Sequence, residues 1–318
     1  MNFTTKIPIS PVAEDNQLSY ATPVVSMGSC FAAHMQEKFA YYKLPFFSHP
    51  FGTLFHPLAI ERSLERACLG QLFTEEDFFL EEDLWLSFDL HSQWANPSLP
   101  TLLEHLNQEV KEVGEALSKA SFLILTLGYE HLATGNIVAN CHKQPQKIFS
   151  KQLLSAQQIQ ASLEHIVALV RERQPQIKVI FTLSPVRHLR DGAVENQLSK
   201  SLLLCAIHTL LGTGTSQKAE GLFYFPSYEI LMDELRDYRF YKEDMLHPTE
   251  QAVQYVWERF VETFFTAEAQ SLMQEVGSIQ RALAHRPFNP EGEKHLQFLA
   301  ALQEKIKKME EKIREHSE

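Results

Sequence analysis

The chain predicts an α/β fold in which a parallel β-sheet is covered by helices on both faces. Short apolar runs of strand length each end in a turn or a polar residue, and the longer segments between them place apolar residues at helical spacing. Strands buried on both faces read as continuous apolar runs rather than as alternation, and these do. At 318 residues and 44% hydrophobic content, the chain can bury a large core.

Val24–Met27 is the first strand, and Gly28-Ser29 turns it into a helix over Phe31 to Leu44. Residues from about 50 to 100 interrupt the alternation with aromatic and acidic residues, including Trp85 and Trp94, and read as an insertion beside the carboxyl edge of the sheet. Leu103, Leu106, Val110, Val113 and Leu117 then mark a helix, followed by a strand at Phe122–Leu127. Ile159, Leu163, Ile166 and Val170 mark the next helix, and Val179–Leu183 the next strand. Val194, Leu198, Leu202 and Cys205 predict a helix with that apolar face, and Leu222–Phe225 is the last strand. Helices fit Tyr228–Arg236 and Pro248–Phe265, the second with proline at its first position. Beyond about residue 265 comes a helical extension. In it Leu299, Leu302, Ile306, Met309 and Ile313, spaced 3, 4, 3, 4, form a short seam that either docks on the body or pairs with a second chain as a homodimer.

A net charge of −11 argues against a nucleic-acid partner, which would call for a basic face. No apolar run is long enough for a membrane span, and the first ten residues have no secretory core. The four cysteines, Cys30, Cys68, Cys141 and Cys205, lie far apart with no CxxC pair, which suits free thiols in a reducing compartment. The cytoplasm is the expected location. Fourteen histidines, among them His49, His56, His91, His131 and His142, show no metal-ligand spacing, so no metal or other cofactor is expected. Gly212-Thr213-Gly214-Thr215 lacks the lysine of a phosphate-binding loop.

Chemistry concentrates at two places. Ser29 stands where a strand meets a helix, and the unpaired N–H groups of a helix start can hold an oxyanion formed by its attack on a carbonyl. A serine needs a base that is itself oriented, and Asp244-Met245-Leu246-His247-Pro248 offers both. The rival readings are structural: Ser29 as a helix cap, Asp244 and His247 as caps of the helix that follows them. Cys30 competes as nucleophile, because a thiol at a helix N-terminus ordinarily has a lowered pKa. Arg187 and His188, in a loop after a strand, are candidates for a substrate contact or an alternative base, and Trp85 and His142 for substrate binding.

The segment Gly28-Ser29-Cys30-Phe31-Ala32 resembles the name motif of the GSCFA domain family, whose members look like relatives of the SGNH (GDSL-type) hydrolases. His49-Pro50-Phe51-Gly52, Thr126-Leu127-Gly128, Val138 to Lys143, Ser184 to His188 and Asp244 to Pro248 extend the likeness to about residue 265. The resemblance implies a three-layer α/β/α sandwich around a flavodoxin-like parallel sheet, with Ser29 as nucleophile, His247 as base and Asp244 orienting it. It also implies an oxyanion hole made by backbone N–H groups at Ser29 and Cys30, the N–H of Gly52 and a side-chain amide. Most SGNH enzymes take that amide from a G-x-N-D block, whereas the strand here ends Thr126-Leu127-Gly128-Tyr129-Glu130, and Asn140 is the candidate in its place. The implied reaction is removal of a small, acetyl-like acyl group from a carbohydrate or related ester. Acyl transfer, or an inactive fold that binds a glycan or a protein, are the other readings.

Overall fold

The computed structural model describes residues 6–48, 50–128, 137–189, 192–213, 219–285 and 292–317. Its strands are β1 (Val24–Gly28), β2 (Phe46–Ser48), a small antiparallel hairpin of β3 (Phe79–Glu81) and β4 (Leu84–Leu86), β5 (Phe122–Leu127), β6 (Lys178–Leu183) and β7 (Leu222–Phe225). The five strands outside the hairpin pair in parallel in the order β2-β1-β5-β6-β7. Numbered without the hairpin this is 2-1-3-4-5, the flavodoxin-like order, whose crevice opens at the carboxyl ends of the first and third strands. Here those are β1 and β5, and Gly28 pairs with Thr126 across that boundary.

Side-chain alternation along the strands builds two cores. Val25, Met27, Leu123, Leu125, Leu127, Val179, Phe181 and Leu183 face one side. Helices α2 (Pro57–Leu69), α3 (Leu99–Lys119), α4 (Ala156–Arg173) and α5 (Ala193–Leu210) cover that side with residues such as Leu64, Leu106, Leu163 and Leu203. Val24, Phe122, Ile124, Ile180 and Phe225 face the other. There they meet α1 (Cys30–Tyr41), α7 (Glu250–Phe264) and α8 (Ala267–Ala284). A single turn, α6 (Ser227–Glu229), continues as a π-turn over Ile230–Glu234, and α9 (Glu293–Glu315) closes the chain. The protein is thus an α/β/α sandwich about a parallel sheet.

Several local expectations change. Thr249, not Pro248, starts the last sheet-covering helix: its hydroxyl accepts from Ala252 N, and Pro248 instead bridges to Tyr241. Tyr228–Arg236 is not a regular helix but the turn and π-turn just described. The interrupted region from 50 to 100 contains α2, whose Ile60, Leu64 and Ala67 belong to the main core. The predicted face of α5 is reversed: Val194 is 76% and Leu198 50% exposed, while Asn196, Ser199, Lys200, Leu203, Ala206 and Ile207 face inward. In the extension, Leu302 and Met309 pack with Val276 and Ile279 of α8, so the seam docks on the body. Leu299 stays exposed.

Candidate active site

The site grows from the carboxyl end of β1. Gly28 has φ +146°, and a Cβ there would lie 2.6 Å from Thr126 Cβ, so only glycine lets β1 run this close to β5. Ser29 follows in an extended conformation as the N-cap of α1, 5% exposed. Its N–H donates to Thr126 O at 3.0 Å, and its Oγ accepts from Phe31 N at 3.3 Å. The first contact locks the serine at the crevice; the second caps the helix and lends positive potential to the serine hydroxyl oxygen.

That arrangement bears on the expected oxyanion hole. The N–H of Ser29 is spent on Thr126, which leaves the Cys30 N–H as the candidate donor next to Ser29. The thiol of Cys30 also behaves against expectation. Burial pushes its pKa up, the charge of Asp244 adds to that, and the N–H groups of Cys30 and Phe31 together with Lys200 pull the other way. It is therefore no activated thiolate, despite its place on a helix start.

Asp244 and His247 lie on a loop between a short turn at Tyr238–Phe240 and α7. Asp244 Oδ1 accepts from Leu246 N at 2.9 Å and from His247 N at 3.0 Å, and its Oδ2 lies 2.6 Å from His247 Nδ1. These donors, the two backbone N–H groups first and the imidazole next, hold the carboxyl well below the usual carboxylate range. An acceptor-only carboxylate against Nδ1 fixes the proton there and leaves Nε2 with its lone pair, as a general base requires. The turn depends on Met245 at φ +57°, and on Lys242 N donating to His247 O at 2.8 Å. Both side chains remain partly exposed, 46% and 38%, at the rim.

The remaining candidates fall into two groups. Gly52, at φ +90° after Phe51 at +63°, sits in a loop whose Phe55 O accepts from Gly128 N at 3.0 Å, just past β5. A Cβ at Gly52 would lie 2.5 Å from His91 Cβ, so the loop needs glycine here. Asn140 belongs to a second cluster: its Oδ1 accepts from His142 N at 2.9 Å, and its N–H donates to Phe88 O at 3.3 Å. His142 Nε2 lies 2.6 Å from Ser87 O and its Nδ1 3.1 Å from Ser92 Oγ, so both ring nitrogens brace the inserted segment. Burial lowers the pKa of His142, in keeping with a neutral ring. Trp85 exchanges backbone bonds with Asn96 and packs its half-buried ring against the main core. His188 donates its N–H to Asn196 Oδ1 at 2.8 Å, and exposed Arg187 reaches Met232 Sδ at 3.0 Å. His49, His131 and Tyr129-Glu130 lie outside the described residues; among the described residues, no group of three or more His, Cys, Asp or Glu could hold a metal. No helix searched is long and apolar enough to cross a membrane.

One residue of this region escaped sequence reasoning. Lys200, on α5, is 0% exposed; its Nζ donates to Ser184 O at 2.6 Å and lies 5.1 Å from the centre of the Tyr228 ring. Burial, reinforced by the neighbouring charge of Arg187 and opposed by Cys30 and Glu229, pushes its pKa down to about 7. Asn196 and Lys200, one helical turn apart, thus pin the loop after β6 from beneath. The apolar stripe beginning at Val194 hid them, because it suggested the opposite face as the buried one.

A doubly wound parallel α/β protein with a capped serine at the switch point is the class these features define. The GSCFA family model matches residues 23–260, and a GSCFA domain protein C-terminal domain model matches residues 276–317. The chain belongs to the GSCFA family. Among solved structures it is similar to a crystal structure of an acetyl esterase mutant with acetate ion, at 9% identity and a TM-score of 0.36, covering 81% of this chain and 99% of that one. No curated protein matches it.

Proposed function

We propose that this protein is a serine ester hydrolase acting on a small acyl ester, of the acetyl type and carried by a carbohydrate or related alcohol, as the likeness to SGNH enzymes implies. The observation that carries the reading is the pairing of Asp244 Oδ2 with His247 Nδ1 at 2.6 Å, on the loop that leads into α7. In the reaction His247 Nε2 takes the Ser29 hydroxyl proton as Oγ bonds to the acyl carbon. Collapse of the tetrahedral intermediate breaks the bond to the leaving alcohol, which receives that proton from His247. Water activated by the same imidazole then adds to the acyl-enzyme and releases the acid and free Ser29. The Cys30 N–H donates to the oxyanion, and Gly52 and Asn140 are the further donors proposed. A cofactor has no part in these steps.

Hydrolysis of p-nitrophenyl acetate by wild type, Ser29→Ala, His247→Ala and Cys30→Ala, with folding checked by circular dichroism, tests the proposal. Turnover lost in the first two variants and kept in the third is the expected result. Turnover indifferent to Ser29→Ala overturns it in favour of a binding role.

A further inference from the structure

We propose that Gln93 is a catalytic residue of the Ser29 site: its side-chain amide, seated against Gly52 at the carboxyl edge of the sheet, donates an Nε2–H to the oxyanion formed when Ser29 attacks an acyl ester. The inference rests on the serine hydrolase reading and deepens it, by supplying the amide that a G-x-N-D block would carry.

The sheet order brings Gly52 to the nucleophile. Ser48 of β2 pairs with Ser26 of β1, and by Phe55 the chain has reached the far side of β1, where Phe55 O accepts from Gly128 N at 3.0 Å just past β5. Since β1 lies between β2 and β5, residues 50–55 pass the carboxyl end of β1. That is where Gly28 pairs with Thr126 and where the Ser29 N–H donates to Thr126 O. Phe51 and Leu54 anchor the passage in the main core, and Gly52 stands between them.

Gln93 is held against this passage. A Cβ at Gly52 would lie 3.1 Å from both Cδ and Nε2 of Gln93, so glycine at this position is what admits the amide. The short turn Ser92–Trp94 that carries Gln93 is capped by His91, whose Nδ1 accepts from Gln93 N at 3.3 Å and whose N–H donates to Phe51 O at 3.4 Å. Ser92 Oγ and His142 Nδ1, 3.1 Å apart, fasten the same turn to the inserted segment. The backbone of Gln93 is thus fixed, while its exposed amide has no hydrogen-bond partner among the described residues. An amide nitrogen offers two donors, and a donor set in place before substrate arrives stabilises an oxyanion without reorganisation. Asn140 is the rival amide. Its side chain turns back on His142 N, whereas that of Gln93 lies against the glycine whose N–H is the other expected donor.

The test is kcat and KM for p-nitrophenyl acetate in wild type, Gln93→Ala, Gln93→Glu and Asn140→Ala, with Ser29→Ala as control and folding checked by circular dichroism. Gln93→Ala should lose on the order of 10²-fold in kcat with KM changed by less than about threefold, since the oxyanion exists only after attack. Gln93→Glu keeps the size but has no donor at neutral pH, and should lose at least as much. Its kcat relative to wild type should recover as pH falls through the carboxylic acid range, about 4 to 5, where the protonated acid donates again. Phenylboronic acid, which forms a tetrahedral anion on an activated serine, should bind Gln93→Ala on the order of tenfold more weakly than wild type. Asn140→Ala should lose less than Gln93→Ala. A loss of kcat below about tenfold in Gln93→Ala, or one matched or exceeded by Asn140→Ala, overturns the assignment. Absent wild-type turnover, or turnover unaffected by Ser29→Ala, is a different failure, that of the serine hydrolase reading, and it shows before any Gln93 variant is compared.

Discussion

At the scale of single residues, one position decides whether the crevice exists at all. Gly28 carries a φ that side chains rarely adopt and no room for a Cβ beside Thr126. Gly28→Ala should therefore cost about 3 kcal/mol in urea denaturation, combining backbone strain with displacement of β5. Asp244→Asn should leave folding intact while lowering Ser29-dependent turnover about 10⁴-fold, because an amide no longer dictates which imidazole nitrogen carries the proton. Away from the site, Glu61 accepts from Ser162 Oγ at 2.5 Å and lies 2.6 Å from His165 Nδ1. That hydrogen bond raises the pKa of His165 above its ordinary value. A raised pKa means stability that is fully present below the unfolded value of about 6.5 and lost as pH rises through the folded value. The difference in urea midpoint between wild type and His165→Gln should accordingly shrink as pH rises. His165 is 47% exposed, so the difference is small even at its largest.

At the scale of elements, burial on both sheet faces made β1, β5, β6 and β7 legible, since each reads as an uninterrupted apolar run. The edge strand β2 has only three residues, too short for any period to show. Helix α2 went unread because Glu61, Arg62, Glu65 and Arg66 dilute its apolar stripe and aromatic segments surround it. For α5 the stripe was visible but misplaced: polar Asn196 and Lys200 are drawn inward by Ser184 O and the His188 N–H, partners that only the fold supplies. The same reason separates the legible part of the site from the rest. Ser29 and the pair Asp244 and His247 announce themselves through local geometry, a strand-to-helix turn and a three-residue spacing. Lys200 acquires its character from burial alone. Packing of the helices on the main core should be costly to disturb. Leu106 of α3 is fully buried, and Leu106→Ala should destabilise the protein by about 3 kcal/mol in thermal or urea unfolding.

At the scale of the whole molecule, the sheet places both halves of the proposed site at its carboxyl edge. On the proposed reading, a serine and a D-x-x-H loop 215 residues later, from position 29 to position 244, meet where the 2-1-3-4-5 order opens its crevice. In the extension, α9 covers Val276 and Ile279 of α8 with Leu302 and Met309. The central claim is that Ser29 is an activated nucleophile, driven by His247. Labelling by a fluorophosphonate, located by peptide mass spectrometry, tests it most directly in wild type and in folded His247→Ala. The account predicts one adduct on Ser29 in wild type and none in His247→Ala. An adduct on Cys30 instead, or labelling of Ser29 that survives the loss of His247, would contradict it.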